Sequence, residues 1–421
     1  MRLYSVAAAY AVWILGIFVV FYLVHAKNEN ALELAVICGA IPAVCQIFLL
    51  GVAWRGLVAP MKIWLALLLV ILLSYVVTAM DPRTAPSGNE GLTIPAAWTP
   101  IVYTLNTVLI MGIGTLVAGC PDRRLLRSVA SLYCVLGTPF LVYIDLTGEM
   151  LWGRLVAGDL QSNNWGLMGL TVCVAAFARK LGPLAVAGFM AGAATILQAS
   201  SREHLLALAI VLLVLAALQL QAMNRSGLVV VLAGSCVTLI MAALLLDPYI
   251  LDAIHYVNQD VLLLNSPNRG VDSGFTGRTA IWAETFDLWL KWPLLGVGFR
   301  QHEQFLAGLP AHNAYLAMLA DTGVLGLIVY LVLLISSLIA SWGIKDQRTR
   351  RFVVTAIVGY IIIGFFDRRT INAGNPYGVF FLMCCSVALV DQSLRKAADL
   401  SRTALGIARA VPSTDPRLPA R

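Results

Sequence analysis

The sequence predicts an all-α, polytopic membrane protein of about twelve transmembrane helices, with one long outer loop that contains short interfacial helices. Three observations predict this. Of the 421 residues, 60% are hydrophobic and only 12% charged, about half the charged share of a soluble domain. Uncharged or nearly uncharged runs recur along the whole chain, many of them near the roughly 20 residues a helix needs to cross a bilayer. The basic residues behind the net charge of +7 sit in short stretches between those runs. That is how orientation signals are distributed, so membrane lipids are expected as partners and nucleic acid is not.

The apolar runs lie near 5–24, 34–53, 63–79, 101–118, 128–144, 163–178, 181–200, 204–223, 227–246, 313–342, 352–366 and 373–390. Lipid offers no water to the backbone, so a span must be a helix or part of a closed barrel, and runs this uniform are helices. The first run lacks a small-residue cleavage site and reads as a retained helix. The eight cysteines fall mostly inside runs and form no Cys-x-x-Cys pair, which argues against a disulfide framework or a zinc site.

With the N-terminus in the cytoplasm and the spans alternating, 19 of the 29 Lys and Arg residues lie on the inner side. This bias puts both termini inside. The ten on the outer side run against the trend: Lys27, Arg83, Arg154, Arg202, Arg269, Arg278, Lys291, Arg300, Arg368 and Arg369.

The organisation that follows is nine helices over 1–246, an outer loop over 247–312, three helices over 313–391 and a cytoplasmic tail over 392–421. The loop is too long and too aromatic for a simple connector, and long ordered loops are usually functional. Within it, Thr276 is placed to cap a helix from Gly277 to about Trp292, which Pro293 ends. Glu284, Asp287 and Lys291 would form its wet face, with Trp282, Phe286 and Trp289 opposite. Smaller outer loops cover 79–100 and 145–162.

There is no P-loop, no Asp-x-Asp and no cluster of metal-ligand residues, so neither a metal nor a cofactor is expected. Few ionisable residues fall inside the spans, and the polar outliers concentrate at the outer surface, which weakens a transporter reading. Four outer segments can carry chemistry. In Ser200-Ser201-Arg202-Glu203-His204, Arg202 lies at the membrane surface, where a guanidinium can grip a phosphate or simply snorkel and pair with Glu203. Arg278 begins the proposed interfacial helix on its Trp282 side, where it either meets a lipid phosphate or stacks on Trp282. His312 begins the tenth span. Its imidazole can take a proton from a hydroxyl, or it caps the helix. Asp321 lies about two turns further in, above Thr322-Gly323, which softens the helix. It either orients a neighbour or makes a packing hydrogen bond. In Asp367-Arg368-Arg369, the arginines bind lipid phosphate or neutralise Asp367.

Together these segments resemble the O-antigen ligase family, which is related to O-antigen and exopolysaccharide polymerases. The residues that carry the resemblance are Arg202 followed at four residues by Leu206, Gly277-Arg278 leading to Trp282, Pro293-Leu294-Leu295-Gly296-Val297-Gly298, and His312-Asn313 followed by Gly323. The resemblance is clear over about residues 198–345 and elsewhere extends only to helix number. It implies an enzyme of the bacterial inner membrane whose site faces the periplasm. That enzyme would transfer a glycan from undecaprenyl pyrophosphate to lipid A–core, without a metal and with inversion. Arg202 and Arg278 would bind the pyrophosphate and His312 would act as base. Asn313, Asp321 and Arg300 are possible auxiliaries, although Arg300 and His302 match nothing in the family pattern. Two alternatives stand: a polymerase whose acceptor is a second lipid-linked glycan, and a flippase or transporter without chemistry.

Overall fold

The computed structural model describes residues 1–24, 34–54, 56–80, 98–151, 154–157, 162–221, 278–306, 308–367 and 375–410. The ninth predicted span, the loop before Arg278, Arg368 and Arg369 lie outside the described residues, as does the end of the tail.

The described chain is mostly helical. Its elements are α1 (Arg2–Val24), α2 (Ala40–Leu50), α3 (Val58–Met80), α4 (Trp98–Ala118), α5 (Leu125–Thr147), β1 (Glu149–Leu151), β2 (Arg154–Val156), α6 (Ser162–Ala176) and α7 (Pro183–Gln198). They continue with α8 (Arg202–Gln221), α9 (Arg278–Lys291), α10 (His302–Phe305), α11 (Ala314–Trp342), α12 (Gln347–Gly364) and α13 (Pro376–Ala410). Seven of these, α1, α3, α4, α5, α8, α11 and α13, are long and apolar enough to cross a membrane. The expectation of a purely helical chain needs one correction. The connector over 145–162 contains an antiparallel hairpin in which Met150 faces Leu155. Three-residue strands are too short for alternation to stand out beside long apolar runs, and only Leu155 is fully buried.

The interior is built on close backbone approach. α6 is buried along almost its whole length. A β-carbon on Gly169 would strike the Gly192 carbonyl of α7, and one on Gly192 would strike the Gly169 carbonyl. Small residues at a helix crossing let membrane helices pack by van der Waals contact where no hydrophobic force separates them from lipid. One turn earlier, Gly166 sits against His204 and Ser201, so the same packing seats the start of α8. The first half of α13 is buried in the centre of the bundle.

At the end where α8 finishes, basic side chains tie helix ends together. Arg127 pairs with Asp346 at 2.7 Å, Arg351 donates to Gln219, Arg179 donates to Ser131, and Arg395 reaches the Ala340 carbonyl. Arg202 starts α8 at the opposite end.

α11 is not continuous. Gly323 has φ +66 and ψ −169, which breaks the helix about 14 Å below its start at 1.5 Å per residue. The break leaves open two bonds of the helical ladder, Val324 to Ala320 and Leu325 to Asp321. Residues 293–298 fill both. Val324 and Leu325 donate to the carbonyls of Pro293 and Leu294, while Val297 and Gly298 donate to those of Ala320 and Asp321. Irregular backbone is tolerated at membrane depth only when it is satisfied in this way. Gly296, at φ +66, lies so close to the Ala320 carbonyl that no β-carbon fits. The softened helix expected at Thr322-Gly323 is therefore a full interruption. Polar groups are not confined to the outer surface either, because the loop and Asp321 descend together into the bundle.

Candidate functional site

α7 ends at Gln198, and the chain turns through Ser200, whose φ is +44. Arg154 braces this turn, donating to the Ala199 carbonyl at 3.1 Å and to the Asn163 side chain. Ser201 opens α8: its carbonyl accepts from the amides of His204 and Leu205, and its hydroxyl lies 2.6 Å from His204 Nδ1. Arg202, the first residue of α8, is partly exposed, while Glu203 and His204 are buried.

Glu203 takes Arg278 as its partner, with Arg278 Nη1 donating to Glu203 Oε2 at 2.9 Å. The sequence offered Arg202 as that partner, and for Arg278 a lipid phosphate or Trp282. The ion pair joins the start of α9 to the start of α8. Along α9, Ile281, Trp282, Thr285 and Leu288 follow Arg278 at helical spacing as the covered stripe, and Glu284, Asp287 and Lys291 are exposed as expected. Phe286 lies two residues from Glu284, on the side opposite the wet face. It is exposed and rests on Trp289, with ring centroids 4.9 Å apart.

One turn after Arg278, Trp282 Nε1 donates to the Ala311 carbonyl at 2.8 Å. This bond anchors the chain just before His312, which adopts φ +48 and is partly exposed. Asn313 has a structural task here. Its side chain caps α11, accepting from the amides of Tyr315 and Leu316 at 2.9 and 3.0 Å. Two links, Glu203–Arg278 and Trp282–Ala311, thus gather the starts of α8, α9 and α11, the elements that carry Arg202, Arg278 and His312.

Asp321 and Arg300 belong to a second polar group, deeper and beside α3 and α4. Asp321 Oδ1 accepts from His302 Nδ1 at 2.8 Å and from the backbone amides of His302 and Gln301 at 2.9 and 3.1 Å. Both side chains are almost fully buried. The partner of Asp321 is thus His302, which had no match in the family pattern. Arg300 has φ +65, and its guanidinium lies 4.7 Å from the centroid of Tyr103, with Glu303 at 4.0 Å. Tyr75 holds this segment by donating to the Phe299 carbonyl at 2.9 Å. Asp367 is buried beyond the end of α12. Among the described residues, no three His, Cys, Asp or Glu side chains gather as metal ligands would.

Residues 187–331 match the O-antigen ligase family. The match spans 145 of the 421 residues and begins and ends earlier than the 198–345 read from the motifs. Comparison with curated proteins gives no match. The matched segment runs from α7 into the second half of α11, so it contains Arg202, Glu203, Arg278 and His312 as well as Arg300, His302 and Asp321. Arg154, which braces the turn before Arg202, comes from outside the matched segment. Its only sequence signal was its place among the outer basic residues. Trp282 as an anchor and Glu203 as the partner of Arg278 were visible as residues but not as contacts.

Proposed function

We propose that the protein is a membrane glycosyltransferase that moves a glycan from undecaprenyl pyrophosphate to a hydroxyl of lipid A–core, at the periplasmic face of the bacterial inner membrane. The observation that carries this reading is the pair of links that gathers the starts of α8, α9 and α11 within the matched segment. The excess of Lys and Arg on the opposite side supports the orientation.

In the reaction, the acceptor oxygen attacks the anomeric carbon from the face opposite the pyrophosphate. The new C–O bond forms as the bond to the phosphate oxygen breaks, and the electron pair leaves on the pyrophosphate. Arg202 and Arg278 neutralise the charge that grows there, which is how fixed cations lower such a barrier. His312 takes the proton of the attacking hydroxyl. One displacement inverts the anomeric centre. Pyrophosphate is already a good leaving group, so the two guanidiniums suffice without a metal.

The test is transfer in vitro from defined undecaprenyl-pyrophosphate glycan to lipid A–core. Activity is expected to persist in EDTA and to fall at least about a hundredfold in each of Arg202→Ala, Arg278→Ala and His312→Ala. Loss in EDTA that added metal restores would contradict the mechanism. A polymerase would use a second lipid-linked glycan in place of lipid A–core, so exchanging the acceptor separates the two enzymes. The break in α11 and the buried His302–Asp321 pair are also features of transporters. Glycan translocation that survives Arg202→Ala and His312→Ala would favour that reading.

A further inference from the structure

We propose that Glu203 is the resident anion of Arg278: it holds the guanidinium while the site is empty and surrenders it to a lipid-linked diphosphate. The inference rests on the reading of Arg278 as a pyrophosphate-binding residue and deepens it. The geometry of Glu203 points to this role. Its side chain is 7% exposed, and only Oε2 engages Arg278, at 2.9 Å. The other oxygen, Oε1, is buried and has no hydrogen-bond partner among the described residues. It lies 4.0 Å from His204 Nδ1, which is committed to Ser201 at 2.6 Å.

A buried carboxylate with half its capacity unmet is a costly occupant. Its charge spares Arg278 from standing as an isolated cation in a low-dielectric site. A single contact is also the kind a competitor can displace. A diphosphate brings more acceptor oxygens and more charge, and Arg202 immediately precedes Glu203 in the chain. Once the diphosphate is bound, like charge sets Glu203 against it. Glu203 therefore lowers affinity for the lipid diphosphate and speeds its departure after transfer. The competing arrangement keeps Glu203 on Arg278 throughout, as a support that orients the guanidinium.

The two arrangements predict opposite signs. The full-length protein in nanodiscs is titrated with undecaprenyl pyrophosphate and with undecaprenyl phosphate, using wild type, Glu203→Gln, Glu203→Asp and Arg278→Ala, with thermal unfolding to establish folding. Glu203→Gln is expected to bind the diphosphate about tenfold tighter, the scale of one lost like-charge contact, and to release it more slowly. The gain is expected to be smaller for the monophosphate. Glu203→Asp, with its shorter reach, should show a lesser gain and decides the matter if the Gln variant does not fold. Unchanged or weaker diphosphate binding in a folded Glu203 variant overturns the proposal. If Arg278→Ala binds the diphosphate as wild type does, the reading of Arg278 itself fails, whatever Glu203 does.

Discussion

At Gly323 a side chain has nowhere to go. The backbone has φ +66, and a β-carbon would run into the Leu294 carbonyl. The left-handed backbone alone costs a non-glycine residue about 1–3 kcal/mol, and the collision adds to that. Gly323→Ala is expected to lower the thermal midpoint of the detergent-solubilised protein by several degrees, whereas Gly112→Ala, in open space on α4, should not lower it. Asp321 makes a related demand. Asp321→Ala strands two backbone amides and the His302 imidazole, at about 1–3 kcal/mol for each buried donor left unsatisfied. Asp321→Asn keeps an acceptor and should cost visibly less in the same melt. The sequence signalled these residues unevenly. Thr322-Gly323 marked a softened helix, and Asp321 stood out as a carboxylate inside an apolar run. The pairing of Asp321 with His302 was not readable, because it is made across an interrupted helix that lets a loop descend to it.

Among the elements, α9 and α11 act as a unit. Trp282 ties them at the surface and residues 293–298 tie them at depth, so the loop between two helices is held as firmly as the helices themselves. At the other end of the bundle, Asp346 caps α12 by accepting from the Thr349 amide and pairs with Arg127 of α5. Burial pushes its carboxyl up, but the Thr349 hydrogen bonds and the Arg127 guanidinium outweigh burial and hold it below the usual carboxylate range. A carboxyl depressed in the folded state supports the fold above its unfolded value, near 4, and that support fades as pH falls through the folded value. Loss of such a cap costs about 1 kcal/mol. The melting difference between wild type and Asp346→Ala should therefore be present at neutral pH and shrink on acidification below about pH 4. Helix positions were legible because membrane spans are written as composition. The starts of α11 and α12 were less so, since an Asn or Asp cap is a local contact that apolar runs obscure.

Across the whole molecule, the chain divides its cations by task. At one end Arg127, Arg179, Arg351 and Arg395 bind helix ends to one another. At the other, Arg154 braces a turn while Arg202 and Arg278 stand at the starts of α8 and α9. Counting basic residues exposed the asymmetry but not the division, since which helix starts are neighbours depends on bundle topology. The hairpin over 149–156 and the break in α11 escaped for the same reason. They are defined by what lies across from them rather than by a period in the chain.

Arg202, Arg278 and His312 are proposed to serve one diphosphate. A cryo-electron microscopy structure of the protein with undecaprenyl pyrophosphate in a nanodisc tests this most directly. Phosphate oxygens are expected within hydrogen-bonding distance, about 3 Å, of both guanidiniums, with the His312 imidazole facing the position of the departing sugar. A lipid diphosphate bound at the end of the bundle that holds Arg127 and Asp346, or one that touches neither Arg202 nor Arg278, would contradict it.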